Sequence, residues 1–352
     1  MDYPFPTQPA YTPAQLQKTF GIVDDELDPD PALHFKVMVP LTWGQVKFTR
    51  RLVTPQEPFQ LRGHLKTRSG PLAEAKVYIA YTPEELSPSD WLSIYLEQQG
   101  ERVLHERHTK QEGGAVPDVL TLGGSGDHAA ISRWTVLKDW AIRGGAHLFM
   151  LQLSTAAPHY TTDLANVFFA SLSHFDILHS TGWAYAEQLR TLVRPDPAFF
   201  ETAYPLSWQQ VENPLSGARF YQVQLTKTRR DQPIGRIYVA VVAQATEPNM
   251  RRVPALFDAQ YQLEGLVFKP HSFTALPPFG GLQQALYALT DQQQSADQTP
   301  THQRELVVGQ AGTNWFYAER FSLTRAESPD SWAISKRAFE IVLDRLVVHP
   351  KP

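Results

Sequence analysis

His105 and His108 stand three positions apart in the tetrad HERH, a spacing that on a helix would put both imidazoles on one face and could begin a metal site. The residues just before them, GERVL, read as a strand instead, and on a strand an odd separation sends the two rings to opposite faces. No third ligand follows at a metal-binding spacing, so two surface histidines are favoured and no metal is expected. Ser125, Asp127 and His128 crowd into LGGSGDH. A nucleophile elbow would need Gly-x-Ser-x-Gly between a strand and a helix, and a phosphate loop would need Lys-Ser or Lys-Thr after its second glycine. Triad members are brought together by the fold rather than by adjacency, so a flexible loop is the favoured reading here.

Carboxylates pair up in VDDELDPDP (23–31) and TPEELSP (82–88). The first is expected to be a solvated acidic segment and the second a pre-helix loop, where acids suit the positive end of a helix. No catalytic residue and no cofactor is assigned, and a non-enzyme is expected. A hydrolase or metal enzyme using 105–128 and the matching region near 271–303 is the alternative, favoured if the histidines converge with a carboxylate.

Composition narrows the classes. Cysteine is absent, which removes disulfides, thiolate nucleophiles and Cys-ligated metals. The net charge of −4, without a run of Lys or Arg, argues against a nucleic-acid partner. No basic, apolar leader opens the chain and no apolar run reaches membrane-spanning length, so a soluble, cytoplasmic protein is expected. The 352 residues suggest two domains.

The elements that must position these residues come twice. VPLTW at 39–43 is echoed by YPLSW at 204–208, and the strand-like AKVYIA at 75–80 by GRIYVA at 235–240. A helix follows each: Pro88 at N1 with Trp91, Leu92, Tyr95 and Leu96, ending at Gly100, then Pro254 at N1 with Leu256, Phe257 and Tyr261, ending at Gly265. Two strand runs then form a hairpin in each half, SRWTVLKDW with HLFMLQLS and QRELVVGQ with NWFYAERFSL. Amphipathic helices close both halves, with Val167, Phe168, Leu172 and Phe175 answered by Ala338, Phe339, Leu343 and Leu346. Four blocks in one order indicate a duplicated chain. The expected division is a Pro-rich arm at 1–32 without an ordered core, copy 1 at 33–178, a linker at 179–198 holding a short helix, and copy 2 at 199–348. Residues 112–128 are expected to be a long loop around one short strand, and 290–302 a polar loop.

Strands joined mostly by hairpins, with helices at a few fixed points, predict an α+β fold in which each copy is an antiparallel sheet flanked by helices. The openings FKVMVPLTW and FFETAYPLSW, the KVYIA and RIYVA strands, the WLSIYLEQQG helix and the closing VFFASLSHFDIL and AFEIVLDRLVV helices resemble the PsbP-like fold. PsbP proteins, the import factor Mog, the DcrB lipoproteins and the Eag chaperones of type VI secretion share it. Tandem copies look most like the DcrB/Eag branch. That resemblance implies a covalent pseudo-dimer, monomeric or itself paired as a homodimer, acting as an adaptor or chaperone for an apolar segment of a client protein such as a type VI effector.

Trp43 and Trp208 recur in one frame after a strand's proline, as core residues do. Tyr78 and Tyr238 alternate with β-branched neighbours, so each projects from the face opposite Val77/Ile79 or Ile237/Val239. If the branched set faces the helices, Tyr78, Ala80, Tyr238 and Ala240 line the other face, where small neighbours leave room for a client segment. A structural or assembly subunit whose two sheets pack together is the competing reading. An exposed apolar face would separate the two.

Overall fold

The computed structural model describes residues 2–25, 29–47, 59–142, 144–194, 199–213, 216, 220–230, 232–242, 250–258, 261, 264–269, 271–292 and 301–349. The chain divides into two compact units, Met1–Glu187 and Gln188–Pro352.

Unit 1 contains β1 (Phe20–Asp24), β2 (Phe35–Pro40), β3 (Trp43–Gln45), β4 (Phe59–Thr67), β5 (Ala73–Thr82), β6 (Arg102–Thr109), β7 (Val116–Gly123), β8 (Ala130–Trp140), β9 (Ala146–Ala156) and β10 (Asp176–Ile177). Unit 2 contains β11 (Leu189–Arg194), β12 (Phe199–Pro205), β13 (Gln209–Glu212), β14 (Phe220–Arg229), β15 (Gln232–Val242), β16 (Thr274–Leu276), β17 (Gln284–Asp291), β18 (His302–Ala311), β19 (Asn314–Leu323) and β20 (Val347–His349). The strands of unit 1 assemble as β1-β2-β10 and β3-β4-β5-β9-β8-β7-β6, those of unit 2 as β11-β12-β20 and β13-β14-β15-β19-β18-β17-β16. The two orders are the same order. The fold is α+β, and the chain is duplicated.

Each repeat begins one strand earlier than the sequence pattern suggested. The segment expected to be a helical linker is β11, which pairs antiparallel with β12 from Leu189↔Pro205 to Arg194↔Phe200. Its alternation buries Leu192 and leaves Val193 exposed. Residues 195–198, with Pro195 and Pro197, lie outside the described residues. The arm at 1–32 is likewise ordered: helix α1 (Pro13–Thr19) is opened by a capping box between Thr12 and Gln15 and leads into β1, which pairs with β2. Short polar and proline-containing stretches can be fixed by caps and strand pairing without a continuous apolar pattern, which is why composition misjudged both.

Local rules account for the rest. In β5 burial alternates along the strand, with Ala75, Val77 and Ile79 on one face. Helix α2 (Pro88–Gln98) starts on Pro88 at N1 and stops before Gly100, whose φ of 69° is a left-handed conformation. Helix α3 (Thr162–Ser173) is capped by the Thr161 hydroxyl accepting from the Leu164 amide at 3.3 Å. Helix α4 (Pro329–Asp344) closes unit 2. After β15 a 3-10 turn, Met250–Leu256, holds Pro254, and the expected helix follows it in part: Asp258 and Tyr261 are α-helical, and residues 259–260 and 262–263 lie outside the described residues. The stretch at 112–128 holds the eight-residue strand β7. Most of 290–302 falls outside the described residues.

Both large sheets are covered on both faces. In unit 1, Phe35, Val77, Leu151 and Phe168 pack on the α3 side, and Leu92, Leu96, Trp134 and Met150 on the α2 side. In unit 2, Phe200, Ile237, Phe316 and Phe339 pack on the α4 side, with Val253, Phe257 and Tyr317 opposite. Trp43 and Trp208 are buried in the α3-side and α4-side cores respectively.

Candidate functional site

Tyr78 and Tyr238 project as the alternation predicts, but the face they occupy is not open. In unit 1, α2 lies back across it: Tyr78 packs with Leu92 and Leu96, and Ala80 is buried beneath them. In unit 2, Tyr238 is buried with Tyr261 and Phe321, and Ala240 with Val253 and Phe257. The expectation of an uncovered face at Tyr78, Ala80, Tyr238 and Ala240 is therefore corrected. Each strand is followed by a segment whose own apolar stripe must be buried, and this sheet face is where it goes. Burial pushes both tyrosine hydroxyls up, which keeps them protonated.

That face differs chemically between the repeats. In unit 1 Tyr78 pairs with Met150, which pairs with Val136. In unit 2 Tyr238 pairs with Glu319, which pairs with Leu306. By the same register, Arg304 stands where Trp134 does and Tyr317 where Leu148 does. Glu319 and Arg304 are both buried, with Arg304 Nη2 donating to Glu319 Oε2 at 2.7 Å and Nη1 donating to Asp258 Oδ1 at 2.9 Å. The Tyr261 and Tyr317 hydroxyls also donate to Glu319. Burial first, then the neighbouring Glu319 charge, holds both phenols well above their ordinary range, so they stay protonated donors. The guanidinium lies 4.4 Å from the Tyr261 ring centre and 5.1 Å from that of Phe268. A cleft of about 190 Å³ opens beside this cluster, between Asp258, Phe268, Lys269 and His271. Asp258 and Tyr261 belong to the covering segment and Glu319 to the sheet, so the cluster acts as a latch between them.

A larger opening lies in unit 1. A groove of about 580 Å³ runs between the β1-β2-β10 sheet, the end of β8 and the last turn of α3. Ile22, Met38, Leu137, Phe175 and Ile177 supply its apolar lining. Ile22 and Met38 are direct cross-strand partners, and Ile22 is 68% exposed. Lys36 and Asp176 form an ion pair of 3.0 Å on its wall. His174 Nδ1 lies 2.8 Å from the Ala170 carbonyl at the helix end. Sequence reasoning missed this site because Ile22 fell in the Pro-rich arm. The signal was present in TPAQ, a capping-box pattern, followed by the alternating FGIVD.

The residues singled out for chemistry are dispersed. His105 stacks on Phe5 and lies 3.8 Å from Asp2, while His108 faces Glu106 at 3.6 Å. Ser125, Asp127 and His128 are all exposed around a single 3-10 turn. Of the acidic pairs, Asp25 is buried against Arg62 at 3.3 Å and Glu85 against Lys138 at 2.8 Å, so each supplies a structural ion pair. Among the described residues, no three His, Cys, Asp or Glu gather as metal ligands, and no helix is long and apolar enough to cross a membrane.

No protein-family model and no curated protein matches the chain. Among solved structures it is similar to cyanobacterial PsbP from Synechocystis sp. PCC 6803, at 14% identity and a TM-score of 0.32 over 45% of this chain and 92% of that one. It is also similar to the type VI secretion immunity protein TplEi from Pseudomonas aeruginosa, at 12% identity and a TM-score of 0.24, covering 90% of this chain and 95% of that one. A third similarity is to the Tle4–Tli4 complex, at 13% identity and a TM-score of 0.23, covering 88% and 99% respectively. The chain itself carries two like seven-stranded sheets in tandem.

Proposed function

We propose that the chain is a non-enzymatic binding protein whose first unit receives an apolar segment of a partner protein in the groove at Ile22. The observation that carries this is the pairing of exposed Ile22 with Met38 on the groove's lining, beside the Lys36–Asp176 pair. An isoleucine so exposed on a regular strand is surface that a partner would remove from water, at about 25 cal/mol per Å². The ion pair beside it supplies orientation, as polar groups do around an apolar recognition surface. The finer form of this reading is an adaptor or chaperone in the cytoplasm that shields the client segment, with a type VI effector as the client. The likenesses to solved structures carry no weight in it.

A photo-crosslinking residue placed at position 22 of the full chain tests the reading in the native lysate. One dominant adduct is expected from position 22 and none from position 72, where Leu72 is also exposed but does not line the groove. Equal labelling from both positions would contradict it.

A further inference from the structure

Residues 2–7 of unit 1 behave as a ligand that happens to be joined to its receptor. The segment DYPFPT has no secondary structure of its own. Its carbonyls are held by side chains from three separate elements: the Tyr160 hydroxyl donates to Pro4 at 3.1 Å, Arg133 Nη2 to Pro6 at 2.8 Å, and Arg107 Nη1 to Thr7 at 3.2 Å. Phe5 is stacked on His105 with ring centres 5.4 Å apart, and the Arg133 guanidinium lies 4.5 Å from the Phe5 ring centre. Tyr3 packs against Tyr160. Asp118 fixes both cations, accepting from Arg133 Nε and Nη2 at 2.8 Å each and from Arg107 Nε at 2.7 Å. Prolines pre-set an extended backbone and leave carbonyls as the available main-chain groups, so donors directed at carbonyls and rings around one aromatic side chain suit a Pro-flanked segment.

Two observations separate the segment from the fold that carries it. Unit 2 builds the same two sheets in the same order although β11 starts at Leu189, immediately inside the unit, with no preceding segment. Two of the receptor residues are replaced there. By register Arg133 corresponds to Gln303 and Asp118 to Leu289, which is 47% exposed. Unit 2 forms the same sheets without such a segment, and the Arg133–Asp118 pair occurs in the repeat that has it. Tyr3 to Pro6 are half-buried, whereas residues 7–10 are exposed, as a tether would be.

We propose that the groove formed by Arg107, Asp118, Arg133, Tyr160 and His105 is a peptide-binding site. Its ligand is an extended partner segment in which an aromatic residue is flanked by prolines, and residues 2–7 occupy it in cis until that partner displaces them. The site shares no residue with the groove at Ile22, so either can fail alone. A tethered occupant competes at high effective concentration, and the partner is admitted in proportion to the fraction of time the tether is released.

The test uses a fluorescein-labelled peptide of sequence DYPFPTQ and two full-length chains, the wild type and Tyr3→Ala/Phe5→Ala, which removes both aromatic anchors of the tethered segment and keeps every groove residue. Saturable binding to the double variant is expected, at least about tenfold weaker binding to the wild type, and loss of binding when the peptide's phenylalanine is alanine. No saturable binding to a double variant that melts like the wild type overturns the proposal, as does binding indifferent to that phenylalanine. Should the double variant not fold, a protease site inserted between Gln8 and Pro9 serves instead. Dilution-dependent release of the cleaved segment supports the proposal, and permanent retention overturns it. Dimerisation of the double variant with wild type through the donated N-terminus would make a second copy the occupant and overturn the partner assignment.

Discussion

Glu319 in β19 occupies the position that Met150 holds in β9, each facing the tyrosine of the neighbouring central strand, Tyr238 and Tyr78 respectively. One sheet position is thus an apolar contact in the first repeat and the anchor of a buried ion pair in the second. Buried pairs seldom stabilise more than well-packed apolar side chains of similar volume, and this chain contains that apolar solution in its other half. The pair's role in unit 2 is to fix where the covering segment docks.

Removing one partner should therefore be costly and removing both much less so. Glu319→Met strips the buried Arg304 of its buried carboxylate partner, leaving it the half-exposed Asp258, and should cost about 3–5 kcal/mol. Adding Arg304→Leu should recover at least half of that loss, measured by urea unfolding as a double-mutant cycle. Additive losses would mean the two residues act separately.

The strand β11 offers a sharper check on where the second repeat begins. Leu192 is buried in the α4-side core while its neighbour Val193 is exposed. Leu192→Ala should destabilise unit 2 by about 2–5 kcal/mol, and Val193→Ala by less than about 0.5 kcal/mol. A flexible linker would show small effects at both.

Stability should fall with acidification first through histidines. Burial lowers His147, His271 and His302 below the ordinary value of 6.5. A base whose folded pKa is depressed is kept neutral by the fold, so the unfolded chain takes up protons first. Full stability holds above pH 6.5 and is lost as pH falls from there through each folded pKa. A second loss follows below pH 4.5, where Glu264 is held down by its hydrogen bonds from Arg236. Thermal melts between pH 7.5 and 5 should show the first slope, and His271→Gln should flatten part of it.

Much of this architecture was legible because the signals were local. Pro40 and Trp43, the Tyr78 and Tyr238 strands, the glycine turns and the closing helices all announce themselves through alternation, caps and left-handed positions within a few residues. The small three-stranded sheets were not legible. Ile22 pairs with Met38, but the sheet is completed by β10, far along the chain, and no local pattern reports that. The covering of Tyr78 was hidden for a related reason. The apolar stripe of α2 shows that the helix buries a face, not which sheet face receives it. Both faces of β19 are covered around Glu319, and nothing local in YAERFSL reports that. The candidate groove fell where the pattern was weakest, in a strand assigned to an unstructured arm.

The most direct test of partner binding is the affinity of the purified crosslinked partner for the full chain and for Ile22→Asp, by calorimetry at one ionic strength. Ile22 is exposed, so the substitution should leave the melting temperature unchanged. The account predicts a loss of affinity of at least about tenfold, since a carboxylate would replace the apolar contact at the groove. Equal affinities for the two chains would contradict it.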